Sequence, residues 1–245
     1  MISRVTQPSA LSAERRRALD ADGFARIDEL VAEPLLAELT AGFGMEVARA
    51  GRRDGLRLAA VRALAAAEPI RAVVRMILGP QAFAIRATLF DKTPAANWLV
   101  AWHQDATVAV RARRDVTGFT AWSVKAGIAH ARAPAHVLAS MLSLRVEVDG
   151  TDGARGPLRV VPGSHRHGIL DAAAIARLVA ATPAVECHVP AGGALLMRPL
   201  LLHASSRAAV PGHRRVVHLE FASEELPGGL EWCERGPVVG SWPCS

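Results

Sequence analysis

The spacing of apolar positions changes character about a third of the way along the chain. Up to Pro80 they recur at three- and four-residue intervals, punctuated by helix start and stop signals. Ser9 or Ser12 can cap a first helix running toward Leu19, with Glu14 in the opening turn, where a negative charge suits the helix dipole. Gly23 stops that helix, and Phe24-Ala25-Arg26-Ile27 then alternates as a short strand. Pro34 occupies a first helical position and opens a helix over Leu35 to Ala41, ending near Gly42. A third helix covers Leu56 to Ala66. Pro69 opens a fourth through Ile70, Val73, Val74 and Ile77, closed by Gly79-Pro80.

From Gln81 the period falls to two. Phe83, Ile85, Ala87 and Leu89 alternate with Arg86 and Thr88, as in a strand with one buried face. The run Trp98-Leu99-Val100-Ala101-Trp102 reads as a buried strand leading into His103-Gln104-Asp105. Arg111 to Gly118 is a polar loop, and Trp122 to Pro134 is a second segment between core strands. Leu138 to Val148 is strand-like and ends in the turn Asp149-Gly150-Thr151-Asp152-Gly153. Leu158 to Val161 is a short strand, and Asp171 caps an inserted helix reaching Ala181. Val185 to Val189, Ala194 to His203 and Arg215 to Phe221 complete the strands. Helices first and many short strands later predict a mainly β domain with N-terminal helices packed on an antiparallel barrel or sandwich. The expected division is a single domain with a helical scaffold over 1–80, a β core over 81–222 and a C-terminal tail over 223–245.

Composition narrows the picture. A chain of 245 residues that is 51% hydrophobic can build one large core. No apolar run reaches the ~18 residues that would cross a bilayer, and Met1-Ile2-Ser3-Arg4-Val5 lacks the apolar centre of a signal peptide. Cys187, Cys233 and Cys244 are odd in number and lack metal-like spacing, which points to a reduced cytoplasm. The net charge of +6 raises nucleic acid as a partner. Yet the cations are dispersed, and all but Lys92 and Lys125 are arginine, a usage that reads as coding bias. Nucleic-acid binding is therefore disfavoured.

Candidate chemistry centres on His103 and Asp105. Two residues apart on a strand, they point to one side, offering a nitrogen and an oxygen ligand together. A second histidine would complete the two-His, one-carboxylate face that suits Fe(II) and leaves three coordination positions open. His130 and His136 flank Pro134 in a loop, His165 and His167 follow the turn Pro162-Gly163-Ser164, and His188 lies beside Cys187. His203 ends the apolar run from Ala194. There it is either a core histidine bonded to a backbone carbonyl or the missing ligand.

Trp102-His103-Gln104-Asp105, Gly156-Pro157-Leu158-Arg159-Val160-Val161-Pro162-Gly163-Ser164-His165, Pro199-Leu200-Leu201-Leu202-His203-Ala204-Ser205 and then Arg214 resemble, in this order, the phytanoyl-CoA dioxygenase family. Its members are Fe(II)- and 2-oxoglutarate-dependent oxygenases, and the resemblance spans about Phe83 to Phe221. It implies a double-stranded β-helix (jelly-roll, cupin-like) core. It further implies His103, Asp105 and His203 as iron ligands, with Arg214 on the distal carboxylate of 2-oxoglutarate and Ser205 beside it or bonded to backbone. Arg86 and Lys92 fall where relatives place cosubstrate or substrate contacts; a solvated charge is the competing reading and is preferred for Lys92. Trp98, Trp102 and Trp122 are read as packing, and His165 as part of a structural turn. The implied cofactors are Fe(II), 2-oxoglutarate and O2, and the implied reaction is hydroxylation of an unactivated C–H bond with release of succinate and CO2. Desaturation and ring formation share the same oxidant. A non-catalytic or hydrolytic cupin-like metal-binding protein is the alternative, and the partner in either case is a small molecule rather than a membrane.

Arg214 and Arg215 are adjacent, so strand alternation sends them to opposite faces. Hydrophobicity groups Arg215 with Val217, Leu219 and Phe221 and would put it inside. The resemblance favours Arg214 instead, with His218 and Glu220 facing a polar pocket while Leu219 and Phe221 pack beneath helices.

Overall fold

Strand alternation divides the molecule into a layer of helices, a sheet with two unlike faces and a second sheet closing over a cavity. The computed structural model describes residues 12–43, 51–210, 212–237 and 239. Ser9 and Cys244 lie outside the described residues. The helices are α1 (Ala13–Asp22), α2 (Glu33–Phe43), α3 (Ala59–Ala66), α4 (Glu68–Leu78), α5 (Ala135–Ala139) and α6 (Ala172–Ala181). The strands are β1 (Phe24–Ile27), β2 (Phe83–Lys92), β3 (Val100–His103), β4 (Thr107–Val110), β5 (Thr120–Lys125), β6 (Ile128–Arg132), β7 (Met141–Glu147), β8 (Leu158–Val160), β9 (Val185–Cys187), β10 (Ala194–Met197), β11 (His203–Ser205) and β12 (Arg214–Ala222).

One sheet has the order β1-β10-β7-β12-β2 and the other β3-β11-β8-β9, with antiparallel neighbours throughout. Because β2 is followed by β3, β7 by β8, and β10, β11 and β12 by one another, the chain keeps crossing between the two sheets. That crossing is the double-stranded β-helix. β1 is an added edge strand, and β4-β6-β5 forms a small third sheet inserted between β3 and β7.

The sheet of five strands is apolar on its outer side. Leu144 and Val146 of β7, Leu196 of β10, and Val217, Leu219 and Phe221 of β12 meet Leu36, Leu39 and Phe43 of α2, Val61 and Leu64 of α3, and Ile70, Val73 and Val74 of α4 in one buried cluster. The helices form as their ends dictate. Ser12 Oγ accepts from the Arg15 N–H, and Gly23 closes α1 in the left-handed region, where glycine alone carries no side-chain penalty. Asp171 caps α6 through the Ala174 N–H.

Several expectations change. The helix expected over Leu56 to Ala66 is broken: Leu58 is extended, a tight 3-10 turn occupies Gly55–Arg57, and α3 begins at Ala59. The cause is tertiary, because Arg52 exchanges backbone hydrogen bonds of 2.9 and 2.8 Å with Leu89 at the edge of β2. The Trp98–Trp102 run is not a buried strand. Leu99 is 58% exposed, and β3 is an edge strand beginning at Val100. The apolar run Ala194 to His203 is two strands: β10 ends at Met197 in one sheet and β11 starts at His203 in the other. Leu138 belongs to the short helix α5, and β7 starts at Met141. Residues 107–132, left largely without strands, form the inserted sheet.

Leu219 is fully buried at the centre of the helix-covered face. Leu219→Ala is expected to cost about 2–5 kcal/mol of stability, read as a lowered midpoint in denaturant unfolding. Truncating the half-exposed Val31, which packs only at the rim of that cluster, should cost clearly less.

Candidate active site

The inner faces of the two sheets enclose a cavity of about 440 Å³, within the range of roughly 300–1,000 Å³ usual for small-molecule sites. Its floor is the inner side of β2 and β12. Arg86, Thr88, Phe90 and Lys92 share one parity along β2 and all line it. On β12 their register partners are Glu220, His218, Val216 and Arg214. The floor is thus long, because Arg86 and Lys92 are about 20 Å apart at roughly 3.3 Å per residue.

His103 and His203 come together because β3 pairs with β11 at that point, placing the two residues directly opposite each other. Their ring centroids are 4.2 Å apart. Each ring is oriented by its own chain: His103 Nδ1 lies 2.8 Å from Ala101 O, and His203 Nδ1 lies 2.9 Å from Leu201 O. A carbonyl only accepts, so both rings carry their proton on Nδ1 and keep an Nε2 lone pair free. Those Nε2 atoms face Asp105, at 3.8 Å from Oδ1 and 3.7 Å from Oδ2 respectively. One ligand atom from each of the three residues lies within 4.8 Å of the other two.

Asp105 itself lies two residues beyond the end of β3, so strand alternation is not what aims it. Its N–H donates to Pro199 O at 2.9 Å. Gln104, between the two, is pinned three ways: its amide donates to Gly168 O at 2.9 Å and Leu200 O at 2.8 Å, and accepts from the Leu170 N–H at 2.8 Å. Sequence reasoning passed over Gln104, whose identity carries no ligand signal. Ser164, in the turn read as structural, accepts from the Leu202 N–H at 2.8 Å and so anchors the residue before His203.

Burial and neighbouring groups shift Asp105, His203 and His218. Burial would raise the Asp105 carboxyl, but His203, His218, His103 and Arg86 around it draw it down to about 2. Burial takes His203 down to about 4 and His218 to about 3. His218, expected on the pocket side of its strand, lines the cavity with Nε2 3.8 Å from Asp105 Oδ2.

At one end of the cavity stand Arg214, Lys92 and Ser205. Arg214 is 4% exposed, donates from Nη1 to Gly156 O, and has an Nε with no hydrogen-bond partner. Gly156 is at φ +64°, and a Cβ there would come within 2.6 Å of Ser206 O, so only glycine fits beneath the guanidinium. Lys92 is not solvated, contrary to the preferred reading. It is 2% exposed, with Nζ donating to Ser205 Oγ at 3.1 Å and Ser206 O at 2.6 Å. Burial, with Arg214 and Arg145 nearby, lowers its pKa to about 7. Arg215 points the other way, onto Asp149, with Nε 2.9 Å from Oδ2. Arg86 lines the cavity but is already paired with Glu220. Arg145 is likewise paired with Glu147, at 3.0 Å. Trp98 also lines the cavity, near Lys92, whereas Trp102 and Trp122 lie under Arg159 and Arg113. His130 is not in a loop. It lies on β6, 1% exposed, and lines the cavity.

The sequence profile of the family Phytanoyl-CoA dioxygenase (PhyH) matches residues 13–216. The chain belongs to this family. Among solved structures it resembles EctD from S. alaskensis with bound Fe at 22% identity and a TM-score of 0.67, covering 90% of this chain and 80% of that one. HygX from Streptomyces hygroscopicus with nickel and 2-oxoglutarate bound aligns at 17% identity and TM-score 0.62, over 87% of each chain. SnoK, a non-heme alpha-ketoglutarate-dependent carbocyclase from nogalamycin biosynthesis, aligns at 16% identity and TM-score 0.67, over 89% of this chain and 86% of that one. No curated protein sequence matches the chain. Among the described residues no helix is long and apolar enough to cross a membrane.

Gln104→Ala removes all three pins between His103 and Asp105. Loss of such an outer partner typically weakens a metal about 10- to 100-fold. Calorimetric titration with Co(II) should report a loss of that order, while the circular dichroism spectrum stays unchanged.

Proposed function

We propose that this member of the family is an Fe(II)- and 2-oxoglutarate-dependent oxygenase that hydroxylates a C–H bond of a small molecule or acyl thioester, releasing succinate and CO2. The observation that carries the reading is the order of groups along the cavity: two Nε2 lone pairs and a carboxylate facing His218 across the middle of the floor, then buried Arg214 and Lys92 at one end. The donor set suits iron, since nitrogen and oxygen ligands on one face leave the opposite side open. His103, Asp105 and His203 would hold the metal. The unpartnered Arg214 Nε fits an incoming carboxylate, because a guanidinium offers donors in a fixed fork and stays charged when buried.

Iron held here with 2-oxoglutarate supplies the oxidising chemistry, in which one oxygen atom of O2 ends in succinate and the other in the hydroxylated product. The chain's own part is positioning. The Ala101 and Leu201 carbonyls hold the two imidazoles in the ligating tautomer, and Gln104 fixes the span to Asp105. Arg214 and Lys92 grip the distal carboxylate of the cosubstrate, with Ser205 holding the lysine in place. Glu220 keeps Arg86 occupied, so this arginine does not compete with Arg214 for the cosubstrate. The free thiols of Cys187 and Cys233 suit a reduced, cytoplasmic setting. A hydrolytic or purely binding cupin-like barrel has no use for a buried cation pair beside the ligand set. Ring closure is the second outcome kept in view, because SnoK is a carbocyclase on the same fold.

The deciding experiment adds 2-oxoglutarate to the Fe(II)-loaded protein without oxygen and looks for a weak visible charge-transfer band. His203→Ala should lose the band, and His188→Ala should keep it. Retention in His203→Ala, or turnover that needs no oxygen, would overturn the reading.

The two adjacent arginines should separate in the same titration. Arg214→Ala is expected to weaken 2-oxoglutarate binding by roughly two to four orders of magnitude, the equivalent of about 3–5 kcal/mol, and Arg215→Ala should change it little.

The pH dependence follows from Lys92. Its pKa in the free protein is about 7, and a bound carboxylate raises it, so binding takes up a proton above that pH. Affinity for 2-oxoglutarate should be level below pH 7 and then fall by up to about tenfold per pH unit as pH rises. Lys92→Met should flatten the profile.

A further inference from the structure

The end of the cavity away from Arg214 also gathers cations. Arg53 and Lys125 both line it, and neither makes an ion pair or hydrogen bond with a described residue. They arrive from different elements. Arg53 sits on the segment paired to the edge of β2, where Arg52 and Asp54 bond to each other at 2.8 Å on one side and strand-like alternation sends Arg53 to the other. Lys125 closes β5 at a turn whose next two residues, Ala126 and Gly127, have φ of +52° and +77°.

The charges belong to this end and not to the other. Burial and then the Arg53 and Arg86 charges lower the Lys125 pKa, whereas Lys92 answers to Arg214 and Arg145. Arg86 has Glu220 as its partner, so among the described residues the cations at this end without an ion pair are Arg53 and Lys125. A third polar group waits beside them: His130 donates from Nδ1 toward Ile128 O at 2.9 Å and leaves a buried Nε2 with no partner. Composition points the same way. The chain has only two lysines, and both line this one cavity, one toward each end.

We propose that Arg53 and Lys125 form an oxyanion subsite for the substrate, which is therefore an acid carrying a carboxylate or phosphate group. The inference rests on the oxygenase reading for the word substrate, but the subsite itself does not. A bound oxyanion would pair with two cations that make no ion pair with a described residue, Arg53 partly buried and Lys125 exposed, and the pairing of Arg52 with Leu89 sets Arg53 about 13 Å along β2 from Lys92 and the cosubstrate carboxylate. The C–H bond to be oxidised then lies between the subsite and the mid-floor cluster.

Inorganic phosphate and, separately, acetate titrated calorimetrically into the Fe(II)-loaded protein test this, with and without saturating 2-oxoglutarate. Saturable binding that survives 2-oxoglutarate is expected. It should weaken about tenfold in Arg53→Gln and again in Lys125→Gln, the size of one lost charge-assisted hydrogen bond each. Arg177→Gln, an exposed arginine on α6, should leave it unchanged. Stronger binding of phosphate assigns the subsite to phosphate-bearing acids, and stronger binding of acetate assigns it to carboxylates. The proposal is overturned if no saturable binding occurs in the presence of 2-oxoglutarate, or if binding persists in the double variant. If 2-oxoglutarate itself fails to bind, the cosubstrate reading falls, while phosphate binding lost in Arg53→Gln/Lys125→Gln and kept in Arg214→Ala still upholds the subsite.

Discussion

The period-two alternation of one sheet is the constraint on which the rest depends. Every strand of the β2–β12–β7 core must satisfy two solvents at once, a layer of helices on one side and a polar cavity on the other. Leu144, Val146, Val217 and Leu219 go to the first, and Ser143, Arg145, His218 and Glu220 to the second. A slip of one residue in register would drive charges under α2–α4 and put leucines against the ligand set. Sheet register and site chemistry are thereby one requirement, and neither can drift without the other.

Placing so many ionic groups inside is costly unless each is answered. Two cations are: Arg86 by Glu220 and Arg145 by Glu147. The groups left unanswered are the informative ones. Arg214 is buried with an Nε that has no hydrogen-bond partner among the described residues, and burial beside Arg214 and Arg145 lowers the Lys92 pKa to about 7.

Much of this was legible in the sequence, because patterns of period and punctuation are local. The helices, the change to alternation after Gln81 and the inserted helix capped by Asp171 follow from residues a few positions apart. The choice of Arg214 over Arg215 needed the family resemblance, since hydrophobicity alone pointed to the wrong face. What escaped reading was set by contacts distant in the chain. The run from Ala194 to His203 looks uniform, yet the chain changes sheets within it. Leu58 is extended because β2 recruits the neighbouring segment, and β3 is apolar but exposed at an edge. Lys92 was misjudged although its parity with Arg86, Thr88 and Phe90 was there to be seen. The same parity, applied to Ser143, Arg145 and Glu147, would have found the remaining inner-face charges.

The two ends of the cavity are built from different parts of the chain. Core strands β2, β11 and β12 supply the Arg214 end. The opposite end borrows Arg53 from a connecting segment and Lys125 and His130 from an inserted hairpin that contributes no strand to either main sheet. A change of length or sequence in that hairpin leaves the pairing of β3 with β11 untouched. Residues 120–130 can therefore be varied in a designed library without touching the strands that bring His103, Asp105 and His203 together.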